Sequence, residues 1–373
     1  MRNLLSKGSR VESDDFFAES LLEVAMRHIE SGADPQRMEE VLAEAIPRLV
    51  DKFGPDIASR IIKSKKALRV NMRYEARFDK RLQRRWRRAL DLCFITMSCA
   101  HELGQEVSLG ERENVSPIQA NQSEALAGLH AAACRGALEV FTLISHGHPK
   151  GAMARCRTLH EFAVIATVIG DSARDPEHED LAERFLDHEI VTLRREAHQF
   201  QAVHEVLGME PLEESYLEEL EGRYADMLNK YGPDFSRVYG WAKKFVPDDN
   251  FRALEEKASL GHLRPYYQWA SSEVHCGARG FFQNFINYRG ALLRDAGKTN
   301  VGLAEPASMA LNSLIQVTVA LLTAGKPNGA GLKDLICMRA LMELNDACAI
   351  AFVDAQADID RDESKIMDRL ARD

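Results

Sequence analysis

The chain has 373 residues, of which 45% are hydrophobic and 28% charged, and it carries a formal net charge of −9. This composition is ordinary for a globular protein, while 12 prolines and 23 glycines are few for an all-β fold. The N-terminal segment lacks the apolar region of a signal peptide, and the apolar runs are shorter than a membrane span. The seven cysteines form no C-x-x-C pair. We therefore expect a cytoplasmic protein without a membrane partner.

Nearly every segment repeats apolar residues at the 3.6-residue spacing of an α-helix. An opening helix is predicted over 14–31, with a further break at Gly54-Pro55. A long basic helix is predicted from there to about Leu103, and the polar residues 104–122 are interpreted as a linker. Further helices are predicted over 122–145, 151–171, 178–207, 213–230, 265–293, 304–323 and 330–370.

The predicted fold class is all-α, a multi-helix bundle with an appended N-terminal basic helical section. Its boundary is predicted near residue 115, so that residues 1–115 form the N-terminal section and residues 116–373 the main bundle. Within the bundle, residues 301–373 are predicted to form the C-terminal helices.

Positive charge is concentrated between Arg60 and Arg88, where thirteen lysines and arginines face only Glu75 and Asp79. Apolar residues at every fourth position, from Tyr74 to Leu90, predict a helix with one face against protein and a basic face outside. Such a face suits the phosphates of RNA or DNA. The predicted nucleic-acid-binding residues are Arg73, Arg77, Arg81, Arg84, Arg85 and Arg88.

A second interpretation of this basic helix needs no nucleic acid. The rest of the chain is strongly acidic, and the basic face can pair with its own acidic segments. The acidic residues nominated for this are Glu213, Glu214, Glu218, Glu219 and Glu221. In that case the protein is a non-catalytic interaction or scaffold module.

The segment RCRTLHEF, residues 155–162, carries charge into an otherwise apolar helix. Arg157 and Glu161 are four residues apart and share one helix face, which continues into the core at Ile165. A charge pair at such an edge needs polar partners. A second helix offers them, because Tyr267, Ser271 and His275 are spaced four apart and form one polar stripe. The predicted site is therefore Arg157, Glu161, Tyr267, Ser271 and His275, acting as a catalytic group or as a buried network that fixes helix packing.

The runs LISHGHPKGAMARCRTLHE, RFLDHEIV and YYQWASSEVH resemble an uncharacterised bacterial helical family, domain of unknown function 5677. The resemblance covers about residues 120–290. It places Gly147 in a turn and Phe185 in an aromatic segment, and it includes Arg157, Glu161 and the Tyr-Ser-His stripe. The family has no established chemistry, so the resemblance implies a helical bundle with a shared polar cluster rather than a reaction.

Arg155 and His160 give an alternative enzymatic interpretation. Arg-x-x-x-x-His is similar to the motif of the HEPN ribonucleases, small helical bundles that cut RNA at a dimer interface. His160 would act there as acid or base and Arg155 would hold the phosphate. A homodimer is accordingly one of the expected partners of this chain. The five-residue spacing turns the two side chains about 140° apart on a helix, which works against one shared pocket.

The twelve histidines show no recognised metal-ligand spacing, and no phosphate loop or dinucleotide motif is present. We therefore expect no cofactor and no metal. The favoured hypothesis is a stress or phage-defence effector that contacts nucleic acid, a biological role based on analogy with helical effector families.

Overall fold

The structure is a computed structural model that describes residues 13–370 with short gaps. The gaps are residues 33, 111–115, 173–174, 176, 247, 276–281, 283–284, 289–290, 295 and 325–329. The predicted all-α fold class is confirmed. The chain falls into two compact units, Met1–Arg81 and Leu82–Asp373, so the division lies within the basic helix rather than near residue 115.

The first unit contains two helices that pack together, α1 (Ser13–Glu30) and α2 (Met38–Lys63). The predicted break at Gly54-Pro55 is wrong, because α2 continues through both Pro47 and Pro55. Each proline removes one helical hydrogen bond. Both prolines are exposed, so that water can satisfy the carbonyl oxygens that lose their partners.

The basic helix is shorter than predicted. It begins after Ser64 as α3 (Lys65–Arg85), and a break at Trp86 separates it from α4 (Arg87–Leu109). The indole of Trp86 is fully buried, and its Nε1 donates a hydrogen bond to Asn300 Oδ1 at 3.1 Å. Its ring lies 5.5 Å from that of Phe352. These tertiary contacts hold Trp86 at the break, which helical periodicity alone did not indicate.

The remaining elements belong to the second unit. They are α5 (Pro117–Ser145), α6 (Pro149–Ser172), α7 (Leu181–Asp187), α8 (Glu189–Gln201), α9 (Glu214–Tyr231), α10 (Phe251–Lys257), α11 (Arg264–Val274), β1 (Phe285–Tyr288), β2 (Ala291–Arg294), α12 (Ala304–Thr323) and α13 (Leu332–Leu370).

The core of the second unit is formed by α5, α6 and α12, which pack against one another. Helix α4 packs against α5, α12 and α13, and α11 packs against α6. Small residues permit close helix approach: a side chain at Gly170 of α6 would meet Ala320 of α12. Gly147, with φ +78°, forms the turn between α5 and α6, as the family resemblance implied.

A buried histidine lies where α4, α5 and α12 meet. The Nε2 of His130 is 3.1 Å from the hydroxyl of Thr318, and a Cβ added at Gly104 would lie only 2.1 Å from the imidazole Cε1. Burial, assisted by the charge of His101, lowers the pKa of His130 to about 4. The imidazole is therefore neutral in the folded protein near pH 7.

Three sequence predictions for the second unit need correction. Residues 104–122 are not a continuous linker, because α4 runs to Leu109 and a capping box of Ser116 and Gln119 starts α5. The helix predicted over 178–207 is divided at His188, which bonds through Nε2 to the carbonyl of Phe235 at 3.0 Å.

The helix predicted over 265–293 ends at Val274. Strands β1 and β2 follow as an antiparallel hairpin in which Phe285 pairs with Arg294 and Tyr288 with Ala291. The predicted helix thus corresponds to a helix followed by a hairpin. Short apolar runs are compatible with either a helix or a strand, so periodicity alone did not distinguish the two.

Two helices, α5 and α12, are long and apolar enough to cross a membrane. In α12, 67% of the relevant window is buried in the bundle, and in α5 the buried share is 39%. Core helices of globular proteins have the same length and hydropathy, so these values are weak evidence for a membrane span.

Candidate functional site

The predicted polar residues come from two helices that pack against each other. Arg157 and Glu161 lie on α6, one turn apart, and Tyr267 lies on α11. Pro265 lies in the first turn of α11 and favours the start of the helix there. The backbone N–H groups of a first turn have no acceptor within the helix, so the N–H that proline lacks is not missed. His275 follows at the C-terminal cap of the same helix. The polar residues predicted on the two helices therefore lie close together in the structure.

Tyr267 connects the guanidinium and the carboxylate. Arg157 Nε donates to the Tyr267 hydroxyl at 3.1 Å, and that hydroxyl donates to Glu161 Oε1 at 2.8 Å. Arg157 and Glu161 also form a direct ion pair of 3.2 Å, with side chains 27% and 30% exposed. The hydrogen bond to Tyr267 raises the pKa of Arg157, and burial raises the pKa of Tyr267. The phenol therefore keeps the proton that it donates to Glu161.

His275 completes the cluster at its exposed edge. Its Nε2 lies 3.3 Å from Arg157 Nη1. A guanidinium can only donate, so Nε2 of His275 accepts this bond and the imidazole carries its proton on Nδ1. We call Arg157, Glu161, Tyr267 and His275 the tyrosine cluster.

Ser271, the fifth predicted residue, does not join it through its side chain. The Ser271 hydroxyl donates to the backbone carbonyl of Tyr267 at 2.8 Å, within its own helix. Such a bond is common for serine inside helices, where the carbonyl four residues earlier competes for the hydroxyl. The four-residue spacing placed the residue on the correct face but could not indicate this local acceptor.

His160 lies in a neighbouring, more buried network that sequence analysis did not foresee. Its Nε2 is 2.9 Å from Glu255 Oε1, and the two side chains are 3% and 0% exposed. Glu255 also forms an ion pair with Arg264 through its other oxygen. Burial lowers the pKa of His160 although Glu255 acts in the opposite direction. We call His160, Glu255 and Arg264 the buried triad.

The buried triad and the tyrosine cluster are adjacent. The rings of His160 and Tyr267 have centroids 5.6 Å apart, and Phe251 packs against both rings. Tyr239 also lies near the cluster: burial raises its pKa to about 12, and the negative charge of Glu161 adds to this effect. Glu255, Arg264 and Tyr239 are far from α6 in sequence, so no spacing rule could have associated them with it.

Arg155 has a different partner from His160. It forms an ion pair with Glu139 of α5, whereas His160 pairs with Glu255. Among the described residues, no contact joins Arg155 to His160. The separation agrees with the 140° angle expected from their spacing. The HEPN-like interpretation, which needs both side chains at one phosphate, stays a prediction.

We call residues 60–88 the basic segment, and its arginines are on the surface. All six predicted nucleic-acid-binding residues, from Arg73 to Arg88, are exposed. Arg85 pairs with Asp362 of α13. Within the described part of the chain, no ion pair is found for the other five, Arg73, Arg77, Arg81, Arg84 and Arg88.

The acidic residues nominated as partners of the basic segment are partly engaged elsewhere. Glu221 accepts hydrogen bonds from Arg194 at 2.8 Å and from His198 at 2.6 Å. Glu219 pairs with Arg223 on its own helix. The described residues contain no group of three or more potential metal ligands.

Most of α5, the helices α6 to α11 and the tyrosine cluster lie in a segment that matches a protein-family model. The match spans residues 123–290, and the family is described as "Family of unknown function (DUF5677)". The matched segment is less than half of the 373-residue chain and is similar to this family. This confirms the resemblance found from the sequence motifs. No curated protein and no solved structure matches the chain.

The segment that matches the DUF5677 family model contains the tyrosine cluster and the whole of the buried triad. The basic segment precedes it, and α12 and α13 follow it. Phe185, which lies in the matched segment, packs edge-to-face with Trp241 with ring centroids 5.1 Å apart. The family assignment thus covers the polar core but supplies no activity for it.

Proposed function

We propose that this protein binds RNA or DNA through the arginines of the basic segment, Arg73, Arg77, Arg81, Arg84, Arg85 and Arg88. The observation that carries the proposal is that all six are exposed and five have no ion pair among the described residues. Exposed arginines elsewhere in the protein, such as Arg27, Arg48 and Arg252, pair with a carboxylate on the same helix.

The charge distribution supports the same proposal. The protein has a net charge of −9, so non-specific attraction to phosphate is not expected from the molecule as a whole. A polyanion therefore has one favourable place to bind, the segment where thirteen basic residues face two acidic ones. Arginine suits this role because its planar guanidinium can donate two parallel hydrogen bonds to a phosphate.

The test is the salt dependence of binding. Fluorescence anisotropy would be measured with labelled single-stranded RNA and duplex DNA of about 20 nucleotides, between roughly 50 and 200 mM salt. Contact with several phosphates predicts a slope of log affinity against log salt between about −3 and −5. Absence of binding at the lowest salt would refute the proposal.

A charge-matched pair of variants locates the binding surface. The first replaces Arg73, Arg77, Arg81, Arg84 and Arg88 by glutamine. The second replaces five exposed arginines that have carboxylate partners, namely Arg48, Arg223, Arg252, Arg339 and Arg361. Both variants lose five positive charges, so a difference between them cannot come from the change in net charge. We expect the first to lose most of its affinity and salt dependence, and the second to keep both.

A second candidate function is a non-catalytic interaction module, and the Arg85–Asp362 ion pair favours it. In this candidate function, the basic residues form ion pairs with acidic residues of the same protein. The tyrosine cluster then only fixes the packing of α6 against α11. This candidate predicts no nucleic-acid binding at low salt. It also predicts that D362N destabilises the fold.

A further inference from the structure

A cavity of about 320 Å³ lies beside the buried triad, between α6, α12 and the start of α11. Its volume falls in the range of sites that bind small organic molecules. The wall includes His160, Leu263, Tyr266, Glu305, Ser308 and Met309. These residues differ from those of the basic segment, so the cavity is independent of the nucleic-acid proposal.

The wall has polar side chains from α12, among them Ser308 and Asn312, and it also includes the imidazole of His160. Nε2 faces the carboxylate of Glu255, which is ion-paired with Arg264 and therefore accepts the Nε2 proton. The imidazole is neutral, so Nδ1 is left with a lone pair. Among the described residues no hydrogen bond to Nδ1 is found. Glu255 thus fixes the tautomer of His160, a residue that lines the cavity, and leaves Nδ1 as its acceptor nitrogen.

The negative charge of the cavity wall favours a cationic ligand. Glu305, in the first turn of α12, is exposed and forms no ion pair with any residue that the structure describes. Among the residues that the structure describes, none of those lining the cavity is a lysine or arginine. A phosphate or carboxylate would therefore meet a negative charge without a positive partner, while an ammonium group would meet a carboxylate.

The remaining wall is suited to a flat apolar body. The side chains of Leu263 and Met309 are apolar, and Met309 can adjust to irregular shapes. Tyr266 adds an aromatic ring to the wall, and this ring packs edge-to-face with Trp269 at 5.4 Å between centroids. An aromatic ring system can pack against these groups.

We propose that this cavity binds a small cationic molecule with an aromatic body, whose ring N–H donates to Nδ1 of His160 and whose ammonium group pairs with Glu305. The assignment rests on the oriented imidazole, the unpaired carboxylate and the volume of the cavity.

A matched series of indoles tests both polar contacts. Tryptamine carries the ring N–H and the ammonium group, tryptophol replaces the ammonium by a hydroxyl, and indole-3-acetate replaces it by a carboxylate. The benzofuran isostere of tryptamine lacks only the N–H. Binding to the full chain would be followed by calorimetry and ligand-observed NMR. We expect a tryptamine Kd below about 1 mM, at least about tenfold weaker binding of indole-3-acetate, and weaker binding of the isostere.

Two variants place the binding in the cavity. E305Q should lower tryptamine affinity to that of tryptophol and leave tryptophol unchanged, because only the charge is removed. S308W should fill the cavity and abolish binding of both, with unchanged helical circular dichroism as the check on folding. If S308W does not fold, M309F with its smaller intrusion takes its place.

Three results would overturn the proposal. The first is no tryptamine binding to the unmodified protein at millimolar concentration. The second is indole-3-acetate binding as tightly as tryptamine, which would contradict the charge preference. The third is unchanged tryptamine binding in the folded cavity-filling variant, which would put the ligand elsewhere.

Discussion

The imidazole of His160 and the carboxylate of Glu255 meet at 2.9 Å in a place where both side chains are almost completely withdrawn from water. Ninety-five positions separate them in the chain, and they join α6 to the short helix α10. A buried carboxylate is stable only when its oxygens have partners, and here each oxygen has one, His160 and Arg264. Together with Arg264 of α11, the pair joins three helices and fixes the orientation of the imidazole.

Replacing Glu255 by alanine should strongly destabilise the second unit. The change leaves the guanidinium of Arg264 and the Nε2–H of His160 without their acceptor, at a cost of about 2–4 kcal/mol. Urea unfolding followed by tryptophan fluorescence measures it, because the three tryptophans, Trp86, Trp241 and Trp269, all lie in this unit.

The neighbouring glutamate is the control. Glu256 pairs with Arg252 on the surface, with side chains 60% and 72% exposed. E256A should change the free energy of unfolding by less than about 0.5 kcal/mol. Equal effects of E255A and E256A would contradict the assigned role of the buried triad.

Removing the hydroxyl of Tyr267 should cost about 1–2 kcal/mol of stability, because Y267F deletes one bond from Arg157 and one to Glu161. The cost is moderate because Arg157 and Glu161 keep their direct ion pair and can reach water. Y266F is the matched control, since the Tyr266 side chain is exposed and no hydrogen bond of its hydroxyl is found among the described residues. Thermal unfolding of both variants beside the parent protein checks the difference.

His130 should make folding stability depend on pH in the acid range. Its pKa is about 4 in the folded protein against 6.5 for the free side chain, so the unfolded chain binds the proton more readily. The stabilising contribution is complete above about pH 6.5 and is lost as the pH falls to about 4, with a total of roughly 3 kcal/mol.

The variant H130Q tests this contribution, because glutamine does not titrate. Its free energy of unfolding should fall less steeply than that of the parent protein between about pH 6.5 and 4. The parent protein, measured at the same pH values, is the reference for this slope. A parent-like slope in H130Q would show that His130 is not the buried titrating group.

Gly104 and Gly128 should respond to alanine in opposite directions. A Cβ at Gly104 would overlap the imidazole of His130, which is itself held by Thr318, so G104A should cost about 1–3 kcal/mol. A Cβ at Gly128 meets nothing within 4 Å and lies on a helix, so G128A should stabilise by up to about 1 kcal/mol. Urea midpoints of the two variants, read against the parent protein, provide the comparison.

Helical periodicity was sufficient to predict much of the fold. The helices predicted over 304–323 and 330–370 agree with α12 and α13 to within two residues. Both carry regular apolar faces that one helical period describes. Four-residue spacing likewise placed Arg157, Glu161, Tyr267 and His275 on faces that meet in the structure.

The features that the sequence analysis did not predict depend on contacts between segments far apart in the chain. Glu255 lies in a short helix of seven residues, and its spacing does not distinguish a buried carboxylate from an exposed one. The break at Trp86 depends on Asn300 and Phe352, both more than 200 residues away. The helix predicted over 265–293 passed through Gly277 and Gly280, although both glycines follow soon after the observed end of α11 at Val274.

The burial of Trp86 has a consequence for how this chain can vary. Leu82 and Trp86 lie about one helical turn apart on either side of the end of α3, and each is at most 1% exposed. One inserted or deleted residue between them would turn the leucine about 100° away from the tryptophan and bring an arginine toward the core. Homologous chains should therefore differ here by substitution alone, with the number of residues held constant.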